Sequence, residues 1–299
     1  MTAREDRKRP CAGVVAGRYH GQRAALATMH GKEVVIARAF GDGLGLFVDT
    51  IRGIDTDALG TFTGEVPRTG TMRETAIAKA RLGMKASGLP IGLASEGSYG
   101  PHPQIPFVPG GVELMVLVDD VLGIIVSEHL IDDAPAYDHA IATDAHELAA
   151  LLDRIGFPDH AVIVKPNQPE SGSHPIHKGL RSHQALAGSM AECSAHSRDG
   201  RAFVQTDMRA HMNRTRMEVI GRLAQRLCKR LATSCPACGV PGFGQVDVET
   251  GLPCEWCGGP SHMVRYRIYG CVACHDREKR PRADGRSHAD PGQCPECNP

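Results

Sequence analysis

The sequence predicts an α/β protein with a mixed-sheet core and a small zinc-ribbon domain at its C-terminal end. Apolar runs of strand length alternate with helical patterns up to residue 233, which is typical of an α/β fold. Eight of the eleven cysteines then form four C-x-x-C pairs within residues 234–299. We therefore expect a flexible tail over 1–17, an α/β domain over 18–233 that has room for two lobes divided near 135–145, and a zinc-binding domain over 234–299.

The first half of the α/β domain is predicted to contain three strands, a capped helix and a hairpin. The strand predictions cover residues 23–28, 44–50 and 89–95. Thr71 and Glu74 match the T-x-x-E capping box, in which each side chain binds a free backbone N–H at the start of a helix. The apolar stretch 112–128 is interrupted by Asp119 and Asp120, which indicates a β-hairpin.

The second half continues the alternation of strands and helices. Helices are predicted over 144–156, 183–196 and 213–233, and strands over 160–166 and 201–207. Asn213 is a good N-cap for the last of these helices. That helix is rich in arginine, so it forms either a phosphate-facing surface or a solvated face.

Composition limits the classes of function. Lys and Arg total 34 and so do Asp and Glu, so the whole chain has no general attraction for nucleic acid or an acidic membrane surface. No apolar run approaches the ~18 residues of a membrane span, and "MTAREDRKRP" lacks the apolar segment of a secretory signal. We expect a cytoplasmic protein with no membrane partner, in which clustered cysteines bind metal rather than form disulfides.

The four cysteine pairs predict two structural zinc sites. Eight thiolates match two tetrahedral Zn²⁺ ions with four sulfur ligands each, and such closed sites stabilise a small domain without activating water. The spacing favours sequential pairing, first pair with second and third with fourth, although an interleaved arrangement remains open. The predicted ligands are Cys235, Cys238, Cys254, Cys257, Cys271, Cys274, Cys294 and Cys297.

Polar residues at the ends of predicted strands indicate a ligand site, because ligands of open α/β sheets bind beyond the carboxyl ends of strands. Glu96 follows the strand 89–95 and lies between Ser95 and Ser98, with no evident structural role. Lys32 occupies the turn after the first strand. Together with Glu65, these residues would suit a triphosphate bound with Mg²⁺ or Mn²⁺, the carboxylates binding the metal and the lysine binding phosphate.

A second polar strand end lies at "TDMRAHMNRTR", after residues 202–205. Asp207 and His211 are candidates for acid–base chemistry there. An anion site at the start of the following helix is predicted to use Arg209, Arg214 and Arg216, with Lys165 facing the same cleft.

Part of this pattern resembles the inosine/xanthosine triphosphate pyrophosphatases. "TGTMRETAIAKAR…LPIGLASEGS" is similar to their T-G-x-T-x-x-E-N-A-x-x-K-A segment and following A-D-D-S-G, and "LATMHGKE" to their first strand and lysine-bearing turn. The resemblance implies an inosine triphosphatase-like fold and metal-dependent cleavage between the α and β phosphates. Lys32 would hold phosphate, and Glu65 and Glu96 would bind metal or activate water. Thr75 replaces the motif asparagine, and Ser95-Glu96 replace the paired aspartates.

A resemblance over nearly the whole chain is to an uncharacterised bacterial family, a domain of unknown function. It is carried by "DTDALGTFTGE", "KARLGM", "GLASEGSYGPHP", "TDMRAHMN", "RLATSCPAC", "GLPC" and "CPECNP". This resemblance implies no activity.

Two hypotheses follow from the sequence. The first is a metal-dependent nucleotide phosphohydrolase or pyrophosphatase with a structural zinc-ribbon domain. The second is a nucleic-acid-binding or protein-interaction protein in which the basic helix and the zinc domain bind the partner and the α/β part is a non-catalytic scaffold. The two hypotheses depend on different residues. The first requires Glu96 for catalysis, and the second requires Arg209, Arg214 and Arg216 for binding.

Overall fold

The computed structural model describes residues 17–54, 70–103, 105–169 and 172–299. Within these ranges the chain forms three β-sheets of five, four and three strands, with helices on the first two sheets. The predicted mixed α/β architecture is thereby confirmed. No helix in the described ranges is long and apolar enough to cross a membrane.

The first sheet is mixed and has the strand order β2-β1-β3-β4-β5. Its strands are β1 (Arg23–Ala27), β2 (Phe47–Ile51), β3 (Ile91–Pro101), β4 (Pro109–Asp119) and β5 (Ile124–Asp132). β1 runs parallel to β2 and β3, whereas β3, β4 and β5 form antiparallel hairpins. The predicted β4–β5 hairpin is confirmed, and its turn is held by the Asp119 carboxylate, which accepts the backbone N–H groups of Val121 and Leu122 at 3.0 Å.

Five α-helices are found in the described part of the chain, and they pack on the first two sheets. They are α1 (Glu33–Leu44), α2 (Met72–Ser87), α3 (Ala149–Ile155), α4 (His183–Ala195) and α5 (Arg214–Leu231). The small residues Ala76 and Ala80 let α2 pack closely on one face of the first sheet, while α1 and α5 pack on the other. The predicted capping box starts α2: Glu74 donates its backbone N–H to Thr71 Oγ1 at 3.2 Å, and Thr71 donates its own to Glu74 Oε2 at 2.8 Å.

The second sheet is antiparallel and has the order β6-β9-β7-β8. Its strands are β6 (His139–Ala142), β7 (Val162–Pro166), β8 (His177–Leu180) and β9 (Ala202–Thr206). Both α3 and α4 pack on the same face, where leucine and methionine side chains meet the sheet valines in one core cluster. The sequence did not predict β6 or β8, because four-residue strands without regular alternation carry almost no periodic signal.

The third sheet, formed by β10 (Gly244–Thr250), β11 (Val264–Gly270) and β12 (Arg277–Pro281), is antiparallel and belongs to the cysteine-rich region. Arg230 near the end of α5 joins this region to the first sheet. Its guanidinium donates to the backbone oxygens of Gly242 at 3.1 Å and Ser127 at 2.9 Å, and pairs with Glu128 at 3.0 Å. The cysteine-rich region is therefore anchored to β5.

The capping box predicts a measurable contribution to stability. Thr71→Ala removes the hydroxyl that accepts the Glu74 N–H and should lower the free energy of unfolding by about 1 kcal/mol. Thr71→Ser keeps the hydroxyl and is the matched control. Urea unfolding of both variants measures the difference, and equal midpoints for Ala and Ser would show that the cap contributes nothing.

Candidate functional site

Glu96 lies inside β3 and not after its end. β3 continues five residues past Glu96 because β4 pairs with it along its whole length, with Glu96 opposite Leu114. The parallel neighbour β1 is shorter: it pairs with β3 at Gly92 and Leu93 and stops at Ala27. Glu96 therefore occupies the place where the parallel part of the sheet ends, the position at which open α/β sheets bind ligands.

The Glu96 carboxylate is paired with a lysine of α2. Lys79 Nζ lies 2.5 Å from Glu96 Oε1, and the two residues are only 8% and 5% exposed. A lysine in a helix usually faces solvent, but Lys79 does not. Lys79 precedes the fully buried Ala80 in α2. Because α2 packs on the sheet at Ala80, Lys79 is also buried, against β3.

Lys32 and Ser95, predicted to bind phosphate together, are in contact. Lys32 precedes α1, and its Nζ donates to Ser95 Oγ at 3.1 Å and to the Ser95 backbone oxygen at 3.3 Å. Burial, together with the nearby Arg216 guanidinium, lowers the pKa of Lys32 to about 8. Gly31, with φ +69°, makes the left-handed turn that brings Lys32 to this position.

Arg216 is buried in a network on the α5 side of the sheet. Its Nε lies 2.6 Å from Glu113 Oε1, and the Tyr99 hydroxyl donates to the same oxygen at 2.7 Å. Arg216 also donates to the backbone oxygen of Met208. A side chain at Gly97, the register partner of Glu113, would overlap both the carboxylate and the guanidinium, so the sequence must be glycine there. Burial and the Glu113 charge raise the pKa of Tyr99 far above its ordinary range.

Three cations and two carboxylates among the described residues lie around the end of β1. Lys79 pairs with Glu96 on the α2 side of the sheet, and Arg216 pairs with Glu113 on the α5 side, where Lys32 binds Ser95. Lys32 also acts on neighbouring His30: burial and then the Lys32 charge lower the pKa of His30 to about 4, so its imidazole is neutral. A buried ammonium such as that of Lys32 favours binding of an anion, because charges interact strongly in a low-dielectric environment.

Residues of the second polar strand end, after β9, lie beside those of the first, after β1. His211, in the turn before α5, stacks on His30 with ring centroids 5.3 Å apart. His211 also lies close to the Gly31 turn, because a Cβ placed on Gly31 would be 3.5 Å from the His211 Cβ. Burial, followed by the charge of Arg209, lowers the pKa of His211. The two groups of residues that the sequence analysis separated therefore form one continuous site.

Asp207 forms an ion pair with Arg209. The residue is fully buried, and its two carboxylate oxygens receive Arg209 Nε at 3.0 and 3.1 Å and an Arg209 terminal nitrogen at 2.6 Å. This bidentate arrangement fixes the guanidinium of Arg209. Asp207 is thus placed as a positioning residue, and the structure gives it no surface from which to touch a substrate.

A pocket of 340 Å³ opens beside His211, at the start of α5. It is lined by Asp159, Arg181, Ala210, His211, Arg214 and Met217. Arg181 donates to the His211 backbone oxygen at 3.1 Å, and exposed Arg214 pairs with Glu218 at 3.1 Å. The pocket offers cationic and apolar surface next to the charged cluster around Lys32.

The remaining predicted residues lie elsewhere. Ser98 is exposed farther along β3, and Lys165 lies on the second sheet with its Nζ 5.0 Å from the centre of the Phe203 ring. Glu65 is outside the described residues. Among the residues that are described, only the cysteines form groups of three or more potential metal ligands, so a donor set for Mg²⁺ or Mn²⁺ is not assembled around Glu96.

The eight paired cysteines form two groups, each able to hold a metal ion. One group contains Cys235, Cys238, Cys271 and Cys274, and the other contains Cys254, Cys257, Cys294 and Cys297. Two sulfur–sulfur contacts in each group are 3.6 to 3.9 Å long, and all four sulfurs of a group lie within 4.8 Å of one another. Four sulfurs at about 2.3 Å from one tetrahedral ion would lie about 3.8 Å apart, so both groups fit such an ion.

The pairing of the cysteines is interleaved, and the expected sequential pairing is wrong. The reason is the β10–β11 hairpin. Gly244 at the start of β10 pairs with Gly270 at the end of β11, which brings the first and third C-x-x-C pairs to one end of the sheet. The second pair lies between these strands, at the other end, where it meets the fourth pair.

Metal content tests the interleaved pairing. Cys257→Ser/Cys297→Ser removes two ligands of the same group and should leave one bound ion per chain. The comparison variant Cys257→Ser/Cys271→Ser damages both groups and should retain none. Plasma emission spectrometry on purified protein measures both, and the sequential arrangement would empty both sites in the first variant.

The ion pair between Lys79 and Glu96 predicts a large loss of stability on breaking it. Lys79→Met leaves the Glu96 carboxylate buried without its main counter-charge and should lower the free energy of unfolding by about 3 kcal/mol. Adding Glu96→Gln removes that charge and should recover part of the loss. Urea unfolding of wild type, single and double variants forms the cycle, and a single variant as stable as wild type would contradict the pairing.

Sequence reasoning missed four members of this site: Lys79, Tyr99, Glu113 and His30. Lys79 and Glu113 lie within a helix and a strand, where a charged residue normally faces solvent. The only available signal was their position one residue from an apolar core position. The structure identifies them through burial and pairing.

Comparison with known proteins completes the description. Neither a curated protein nor a solved structure matches the chain, so the resemblance to inosine/xanthosine triphosphate pyrophosphatases stays a prediction. The family model of the domain of unknown function DUF6671 matches residues 79–299, which include β3 to β12 and both cysteine groups. Because this match covers most of its length, the chain belongs to the DUF6671 family.

Proposed function

We propose that the protein is a nucleotide phosphohydrolase whose site is the cluster around Lys32 and Glu96. The observation that carries the proposal is the Lys32 ammonium, which binds Ser95 and lies near the Arg216 guanidinium at the carboxyl end of the parallel strand β1. Phosphate groups are the anions that such strand ends bind most often, because the following helix adds its positive N-terminal end. Here α1 begins directly after Lys32, without a side-chain cap.

In this proposal the Lys32 ammonium and the Ser95 hydroxyl hold a phosphate group. Arg209, fixed by Asp207, lies near His211, and the pocket lined by Arg181 and Arg214 accommodates the rest of the nucleotide. These groups stabilise the negative charge that increases on the phosphate oxygens during cleavage.

Hydrolysis requires a water molecule and a proton acceptor. His211 is neutral at pH 7 because its pKa is lowered, so its imidazole can take the proton while the water oxygen attacks phosphorus. The phosphoanhydride bond breaks and pyrophosphate leaves with the bonding electron pair. This step rests on the resemblance of the "TGTMRETAIAKAR…LPIGLASEGS" segment, which implies a metal-dependent reaction. Among the described residues no donor set for Mg²⁺ or Mn²⁺ surrounds Glu96, and the other predicted metal ligand, Glu65, lies outside them.

We also propose that both cysteine groups bind zinc. Four thiolates in a closed tetrahedral arrangement are the donor set typical of structural Zn²⁺. The backbone N–H of Cys257 is the first cause that lowers the pKa of Cys254, to about 7, which favours the thiolate that a metal needs. Zinc would hold together a region that has a small sheet and little apolar core.

The proposed activity is tested by pyrophosphate and phosphate release from a panel of canonical and deaminated nucleoside triphosphates, with and without Mg²⁺ or Mn²⁺. His211→Ala removes the proposed proton acceptor and should reduce turnover at least a hundredfold. Phe107→Leu, on the exposed tip of the β3–β4 hairpin, is the control and should be fully active. Absence of release from every triphosphate would contradict the hydrolase proposal.

Nucleotide binding should depend on the protonation of Lys32. The ammonium is charged below its pKa of about 8, so affinity should be constant from pH 6 to 7 and fall as pH rises above 8. Lys32→Arg remains charged and should keep its affinity at pH 9. Isothermal titration calorimetry from pH 6 to 9 measures both, and identical pH profiles would exclude Lys32 as the phosphate ligand.

A further inference from the structure

The second sheet has one face that its helices do not cover. α3 and α4 both pack on the face that contains Val162, Val164 and Val204. Strand register places Ile141, Phe203 and Lys165 in one row across β6, β9 and β7 on the opposite face. On this face Ile163 of β7 is buried, so the open part is the row itself, in which Ile141 is 43% exposed and Phe203 and Lys165 are half-buried.

Aromatic rings and positive charges meet on this open face. The His139 ring stacks on Phe203 with centroids 5.2 Å apart and an angle of 24°, and the Lys165 ammonium lies 5.0 Å from the centre of the Phe203 ring. On β8, His177 pairs with Glu192 of α4, so alternation places exposed Lys178 on the open side. None of the four strands contains an acidic residue.

The other basic regions are poorer candidates for contact with a polyanion. Three arginines of α5 are engaged internally, Arg216 with Glu113 and both Arg226 and Arg230 with Glu128. Residues 234–299 contain seven Lys or Arg against eight Asp or Glu, and the cysteine thiolates add negative charge. The open face of the second sheet therefore has the stronger charge complementarity to nucleic acid.

We propose that this open face binds single-stranded nucleic acid. A base would stack beside the His139–Phe203 pair, and Lys165 and Lys178 would contact the flanking phosphates. Exposed aromatic side chains on a sheet, bordered by cations, are the arrangement with which single strands are held without sequence preference. A duplex keeps its bases stacked internally and cannot use such a surface. This site is distinct from the proposed nucleotide site around Lys32.

The test measures fluorescence anisotropy of fluorescein-labelled U12 RNA and T12 DNA with the zinc-loaded full chain at low salt. Wild type should bind at least one oligonucleotide. Phe203→Leu keeps the apolar volume but removes the ring, and should weaken binding about tenfold. Lys165→Gln should weaken binding and lower the slope of log affinity against log salt by about 1.

Controls distinguish binding at this surface from non-specific binding and from effects of unfolding. Phe107→Leu removes an exposed ring from the other sheet and should bind like wild type, and urea unfolding should show that Phe203→Leu keeps the wild-type fold. Failure of the wild type to bind either oligonucleotide would overturn the proposal. So would unchanged affinity of Phe203→Leu, or equal competition by a twelve-base-pair duplex. Nucleotide hydrolysis is measured separately, so the two proposals fail independently.

Discussion

The requirement that buried charges be paired shapes the centre of this molecule. Glu113 is fully buried in β4, and Arg216 comes from α5, more than a hundred residues later, to neutralise it. Removing both ions from water is costly, so close contact and additional hydrogen bonds must compensate. The Tyr99 hydroxyl and the Met208 backbone oxygen supply those bonds, and the glycine at position 97 leaves space for the pair.

Helix α5 connects the three parts of the chain through the same kind of interaction. Near its start Arg216 binds β4, and near its end Arg226 and Arg230 both bind Glu128 on β5. The helix follows the second sheet and leads directly into the first cysteine pair. A shift of α5 would therefore disturb both the charged cluster around Lys32 and the attachment of the cysteine-rich region. Its arginines act mainly as internal ties.

The two proposed binding surfaces differ in their physical character. The Lys32 cluster is buried, charged and narrow, and it suits a small, highly charged phosphate group. The open face around Phe203 is broad, aromatic and bordered by lysines, and it suits a flexible chain with alternating bases and phosphates. Both belong to one protein, which is compatible with a nucleotide enzyme that also contacts nucleic acid.

The sequence by itself determined the local features. It predicted the capping box of α2, the β4–β5 hairpin, the mixed α/β alternation and the eight cysteines able to hold metal ions, because each is encoded within a few neighbouring residues. Tertiary structure decided which residues are in contact with one another. Strand pairing set the interleaved cysteines, and the extension of β3 past the end of β1 placed Glu96 within the sheet. The packing of α2 buried Lys79, and the junction of two distant turns joined His30 to His211. These contacts join residues far apart in the chain, and local patterns contain no information about which distant charge or strand will meet them.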